Sequence, residues 1–134
     1  MATYVIGTNS VHTSAELCDY LSRRLETGDV VHAVNSLPGG DRTDSDDARD
    51  GKDALNVVET RLSGFTTVET HQYIRGNDAA EDILKCAKDK NADEIVIGVR
   101  KRNPTSKIVF GSTAQDVLLT SNIPMAVIPL AKVP

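Results

Sequence analysis

Glu94-Ile95-Val96-Ile97-Gly98 is the stretch on which the fold turns. Three consecutive β-branched apolar residues between a glutamate and a glycine leave no polar face. Such a run suits a strand covered on both sides, which points to a parallel sheet held between helices. Just upstream, Asp78-x-x-Glu81 reads as a helix start, with Ala80, Ile83, Leu84 and Ala87 at helical spacing and Gly76-Asn77 as the turn before it. Downstream, Ser112-x-x-Gln115 opens a further helix with Val117, Leu118 and Leu119 facing inward. Pro124-Met125-Ala126-Val127-Ile128-Pro129 then reads as a strand with a proline at each end.

The amino-terminal half repeats the alternation. Thr3–Gly7 is β-rich, Thr13-x-x-Glu16 is a capping-box pattern, and Cys18, Leu21 and Leu25 recur at helical spacing before a Gly28 stop. Asp29–Asn35 reads as a second strand. Leu55, Val58 and Leu62 mark a helix ending before Gly64, and Thr66–Gln72 alternates as a third strand. Leu37–Asp53, rich in Gly, Asp, Arg and Ser, reads as an exposed loop. Five strands alternating with four helices is the pattern of βαβ units. The expectation is a three-layer α/β/α, doubly wound, flavodoxin-like fold in one domain over residues 1–134.

Composition narrows the function. Aromatic residues make up 4% and tryptophan is absent, so the core must be built from aliphatic side chains. A net charge of −4 disfavours binding to nucleic acid or to an acidic membrane surface. No apolar run approaches the roughly 20 residues of a spanning helix, and Met1-Ala2-Thr3-Tyr4-Val5 lacks a secretion-signal pattern. A cytoplasmic protein is expected. Cys18 and Cys86 sit on inward helix faces and read as buried free thiols. His12, His32 and His71 are dispersed over a loop and two strands, without metal-ligand spacing in the sequence. Nucleophile elbow, Cys/His pair and P-loop are all missing, so a binding protein is favoured over an enzyme.

In open sheets of this kind ligands bind beyond the carboxyl ends of the strands, where the order reverses. That would set Gly7-Thr8-Asn9-Ser10 against the segment running from Gly98 to Thr113. The segment carries Arg100, Lys101, Arg102 and Lys107 and then a glycine entering a helix, Gly111-Ser112-Thr113. The first amides of a helix lack internal partners and carry partial positive charge, which suits a phosphate. The residues alone leave a second reading open, because Ser112-x-x-Gln115 also works as a ligand-free capping box and the cations as a solvated loop.

The segment resembles the signature of the universal stress protein family, Gly-x2-Gly-x9-Gly-Ser/Thr, with Gly98, Lys101 in the second glycine slot, and Gly111-Ser112. Gly76–Leu84 is similar to that family's turn and helix, and the likeness runs through Ala92–Gly98 to Pro124–Ile128, with looser agreement in the amino-terminal strand and helix. It implies strand order 3-2-1-4-5, a homodimer pairing through residues 124–129 and, in one branch, bound ATP, with Mg2+ only as its companion. Carried over, Thr8 and Asn9 lie near the ribose, Val34 offers backbone groups to adenine, and Gly98 passes beneath ribose and phosphates. Arg100, Lys101, Gly111, Ser112 and Thr113 hold the phosphates. Two departures stand out: Lys101 replaces a glycine, and Asn9 stands where the family usually has an acidic residue. The alternatives implied are a stress-response interaction module whose pocket Lys101 fills, and slow ATP hydrolysis.

Overall fold

The computed structural model describes residues 1–37, 39, 43–64, 66–74, 78–100 and 111–131. In chain order the elements are β1 (Thr3–Gly7), α1 (Val11–Ser22), β2 (Val30–Leu37), α2 (Ser45–Leu62) and β3 (Thr67–Ile74). They continue with α3 (Ala79–Asp89), β4 (Glu94–Arg100), α4 (Ser112–Thr120) and β5 (Met125–Leu130). The five strands form one parallel sheet in the order β3-β2-β1-β4-β5, as expected.

The strand pleat divides the core in two. Tyr4, Ile6, Val31, Ala33 and Val96 face α1 and α2, where Leu17, Cys18, Leu21, Leu55, Val58 and Leu62 meet them. Val5, Val34, Ile95, Ile97 and Val99 face α3 and α4, where Ile83, Cys86, Ala87, Ala114 and Val117 meet them. Adjacent residues of β4 thus bury on opposite sides, which is why the run around Ile95 has no polar face.

Four local expectations are corrected. The stretch from Leu37 to Asp53 is not a continuous loop, because β2 runs to Leu37 and α2 begins at Ser45. Asp44 and Asp47 make a reciprocal capping box, each side chain accepting from the other's backbone N–H at 2.8 and 3.2 Å. Most of the first two turns of α2 is solvated, so polarity there marked an outer helix face and not a loop. α1 begins at Val11, because Ser10 and not Thr13 is its cap: the Ser10 hydroxyl accepts from the Thr13 N–H at 3.1 Å. That places His12 in the helix. Gly28, at φ +94°, turns the chain into β2 five residues after the Arg23 C-cap, without itself ending α1. Leu118 and Leu119 are 37% and 78% exposed, because Ala114 and Val117 form the inward stripe of α4.

Candidate functional site

Connections β1-α1-β2-α2-β3 wind one way, and the chain then crosses through α3 to start β4 on the other side of β1. Loops leaving β1 and β4 therefore diverge, opening a cleft at the carboxyl ends of the strands. Its volume is about 500 Å3, within the range of small-molecule sites. Gly7, Thr8, Asn9 and Thr13 form one wall. Gly98, Val99 and Arg100 with Gly111, Ser112 and Thr113 form the other, and Val34 and Ser36 lie at the β2 end. Of the residues singled out in the sequence, Thr8, Asn9, Val34, Gly98, Arg100, Gly111, Ser112 and Thr113 all line this one cleft. Lys101, with Arg102 and Lys107, lies outside the described residues.

The β1 wall is held by its own hydrogen bonds. The Thr8 N–H donates to the Val34 carbonyl at 2.9 Å. Ser14 Oγ donates to the Ala54 carbonyl at 2.7 Å, so in the 2.7 Å contact between the two hydroxyls Thr8 is the donor. Asn35, 1% exposed, donates to the Thr8 carbonyl at 3.0 Å and accepts from Gln72 at 3.1 Å. Gln72 also reaches the Ala48 carbonyl at 2.9 Å. Thr8 is thus a fixed post and not an open donor. The Val34 carbonyl, expected to meet a purine, already accepts inside the sheet. Asn9 is exposed, its side-chain oxygen 3.4 Å from the Thr13 hydroxyl.

The α4 wall is different. Gly111 is the N-cap of α4, without a side-chain cap bond, and no acidic residue occupies the first turn. The ligand-free capping box at Ser112-x-x-Gln115 does not form, since Ser112 is already the first helical residue. Gly111 has φ −64°, and a Cβ built there would meet no atom of the described residues within 4 Å. Among the described residues nothing requires glycine at that position. Gly7 and Gly98 contrast with it: a Cβ on Gly7 would lie 2.5 Å from Ile83 Cδ1, and one on Gly98 within 2.8 to 2.9 Å of three Leu130 carbons.

Sequence reasoning missed Ser36, Ala79, Ile83 and Leu130, which also line the cleft. The helical spacing of α3 marked Ile83 as core, while the cleft role of Leu130 follows only from pairing β5 beside β4. Ser36 donates to Asp82 at 2.6 Å, so its one hydroxyl hydrogen is already engaged. His12 does not line the cleft; its Nε2 lies 2.9 Å from the Ala131 carbonyl and ties the start of α1 to the chain leaving β5.

Both cysteines are free and buried, on opposite faces of the sheet. Burial pushes each thiol up to about 11, so neither offers a thiolate nucleophile at neutral pH. The histidines, dispersed in sequence, do not stay apart: His32 and His71 meet across β2 and β3, beneath Cys86. No helix among the described residues is long and apolar enough to cross a membrane.

A sequence profile of the Universal stress protein family matches residues 12–129. A universal stress protein from Mycolicibacterium smegmatis is 35% identical over 99 residues, 73% of this chain and 72% of that protein. The solved structure of a universal stress protein from Archaeoglobus fulgidus superimposes with a TM-score of 0.72 at 31% identity, covering 98% of this chain and 99% of the other. A structure of the Archaeoglobus fulgidus universal stress protein in complex with dAMP superimposes with a TM-score of 0.65 at 27% identity, covering 98% of each chain.

Proposed function

Because the chain belongs to the universal stress protein family, we propose that its cleft binds an adenine nucleotide, ATP foremost, and that occupancy regulates the protein in the stress response. The observation that carries this reading is the start of α4: first-turn amides that no side chain among the described residues caps, behind a glycine that packing among those residues does not require, facing the β1 wall across the cleft. Uncapped helix amides stabilise anionic oxygens, and a glycine, without a side chain, lets a phosphate chain approach the backbone. The dAMP complex of a relative at 27% identity supports the ligand class.

In this reading Gly98 floors the path of ribose and phosphates. Arg100 supplies a cation at the open end of β4, and Ser112 and Thr113 add hydroxyl donors at the helix start. Lys101 adds an ammonium to the terminal phosphates, as a point charge where a glycine would leave space. Asn9 offers a neutral hydrogen-bonding partner to a ribose hydroxyl, and Mg2+ enters only with ATP. Val34 contributes its buried side chain as an apolar wall. The protein acts in the cytoplasm on this reading, in keeping with its two free thiols. It pairs with a second copy along 124–129, through β5, which lies at the edge of the sheet.

Calorimetry with ATP, ADP and AMP tests the reading. Saturable heat at one nucleotide per chain is expected, and its absence at millimolar concentration would sink the proposal. A second reading rests on Lys101, whose side chain would fill the pocket and leave an interaction module. Strong ATP binding by Lys101→Gly where the parent shows none would establish that alternative.

A further inference from the structure

On the α3 side of the sheet, across β2 and β3, three metal-ligating side chains converge. His32 on β2 and His71 on β3 both point toward α3, because residues two apart on a strand share a face and the register sets His32 opposite Glu69. His32 Nδ1 and His71 Nε2 are 3.1 Å apart. Cys86, on the buried face of α3, completes a group whose ligand atoms all lie within 4.8 Å of one another. Glu69 Oε2 lies 3.5 Å from His32 Nδ1, with its side chain half exposed.

We propose that His32, His71 and Cys86, with Glu69 at the rim, form a binding site for one divalent cation of borderline softness, Zn2+ foremost. Two imidazoles, a thiolate and a carboxylate are the donor types zinc takes. Zinc–nitrogen bonds of about 2.0–2.1 Å set tetrahedral nitrogens roughly 3.3 Å apart, close to the distance already present between His32 and His71. Sulfur closes the third side after an inward shift of Cys86 or a rotamer change. One negative charge from Cys86 and one from Glu69 balance the ion, so the occupied site is neutral and tolerates burial.

The nearby charges are Glu69 on β3, with Asp89 and Lys90 at the carboxyl end of α3. Lys90 opposes a cation, and the two carboxylates favour it. On binding, Cys86 loses its thiol proton to solvent and the sulfur takes the metal in its place. One of the two facing nitrogens carries the N–H of the His32–His71 hydrogen bond; on binding, that ring loses this proton to solvent and takes one up on its other nitrogen, so that both rings bind the metal neutral. The bound ion would tie edge strand β3 and β2 to α3.

Cobalt(II) serves as the optical probe on the full chain after treatment with chelator. The expected result is saturation at one equivalent, with intense tetrahedral visible bands and a sulfur-to-cobalt charge-transfer band, all bleached by added Zn2+. Cys86→Ser abolishes the charge-transfer band, whereas Cys18→Ser, on the other face of the sheet, keeps it. His71→Gln weakens cobalt binding by more than about 100-fold, beyond what loss of a supporting partner alone produces. Only weak octahedral absorption in the parent overturns the proposal, as does a charge-transfer band that survives Cys86→Ser. The parent titration decides the matter even if a variant fails to fold.

Discussion

Gly98 and Gly111 occupy the two ends of one motif and do opposite work. A methyl group on Gly98 would meet three Leu130 carbons at 2.8 to 2.9 Å, so Gly98→Ala must displace a buried side chain or bend β4. The expected cost is about 1–3 kcal/mol in urea unfolding, with nucleotide affinity falling as Leu130 is pushed into the cleft. Gly111→Ala meets no atom of the described residues, so it should cost about 1 kcal/mol or less, the N-cap preference alone, while nucleotide affinity drops at least as far as in Gly98→Ala. Equal affinity in Gly111→Ala and parent would show that nothing passes close to that backbone.

Asp29 is a residue whose role is purely architectural. The backbone N–H groups of Glu26 and Ala2 donate to its two carboxylate oxygens, each at 2.8 Å, and these bonds hold the carboxyl below its usual range against the opposing effect of burial. Because the folded value is depressed, this contribution is fully present above the unfolded value, near pH 4, and disappears as pH falls through the folded value. Asp29→Asn should lower stability at pH 7 by about 1–3 kcal/mol, the cost of losing a charge-assisted bond. It should also flatten the fall in stability below pH 4. An unchanged acid limb in the variant would contradict this assignment.

At the scale of elements, α2 shows what makes a helix legible and what hides it. Leu55, Val58 and Leu62 announce its second half by spacing, whereas the first half carries mostly solvated polar residues and reads as loop. Two features in the first half explain the longer helix: the Asp44 and Asp47 cap, and Gly51. A Cβ on Gly51 would fall 2.0 Å from Asn35 Oδ1 and 2.8 Å from Gln72 Nε2, so glycine here allows α2 to lie on the polar pair that holds the Thr8 carbonyl. Gly51→Ala should therefore destabilise by about 1–3 kcal/mol despite the better helix propensity of alanine, as measured by the urea midpoint. A stabilised variant would mean the pair can move aside.

The β4 run and the α3 spacing were readable because burial on two faces and burial on one stripe leave distinct periodicities. Leu118 and Leu119 misled for the same reason: apolar residues beside Val117 look inward until Ala114 is seen to take the stripe. The meeting of His32, His71 and Cys86 could not be read at all. Their sequence spacing carries no pattern, and only the pairing of β2 with β3 and the docking of α3 bring them together.

For the whole molecule, the alternation of strands and helices was enough to reach three layers, and the family resemblance supplied the strand order. That order makes the site: with β1 central and α3 crossing to β4, Gly7–Asn9 and Gly111–Thr113 must lie on either side of one opening. Eight of the nine residues marked in the sequence lie there, because their placement depends on topology and not on side-chain detail. Finer roles were less legible. Thr8 and the Val34 carbonyl are engaged within the protein, which sequence spacing cannot show.

Backbone amide chemical shifts, followed while ATP is titrated into isotopically labelled protein, test the cleft most directly. The prediction is saturable movement concentrated at Gly7–Asn9, Gly98 and Gly111–Thr113, with the α2 surface undisturbed. Shifts confined to other regions, or none at millimolar ATP, would contradict it.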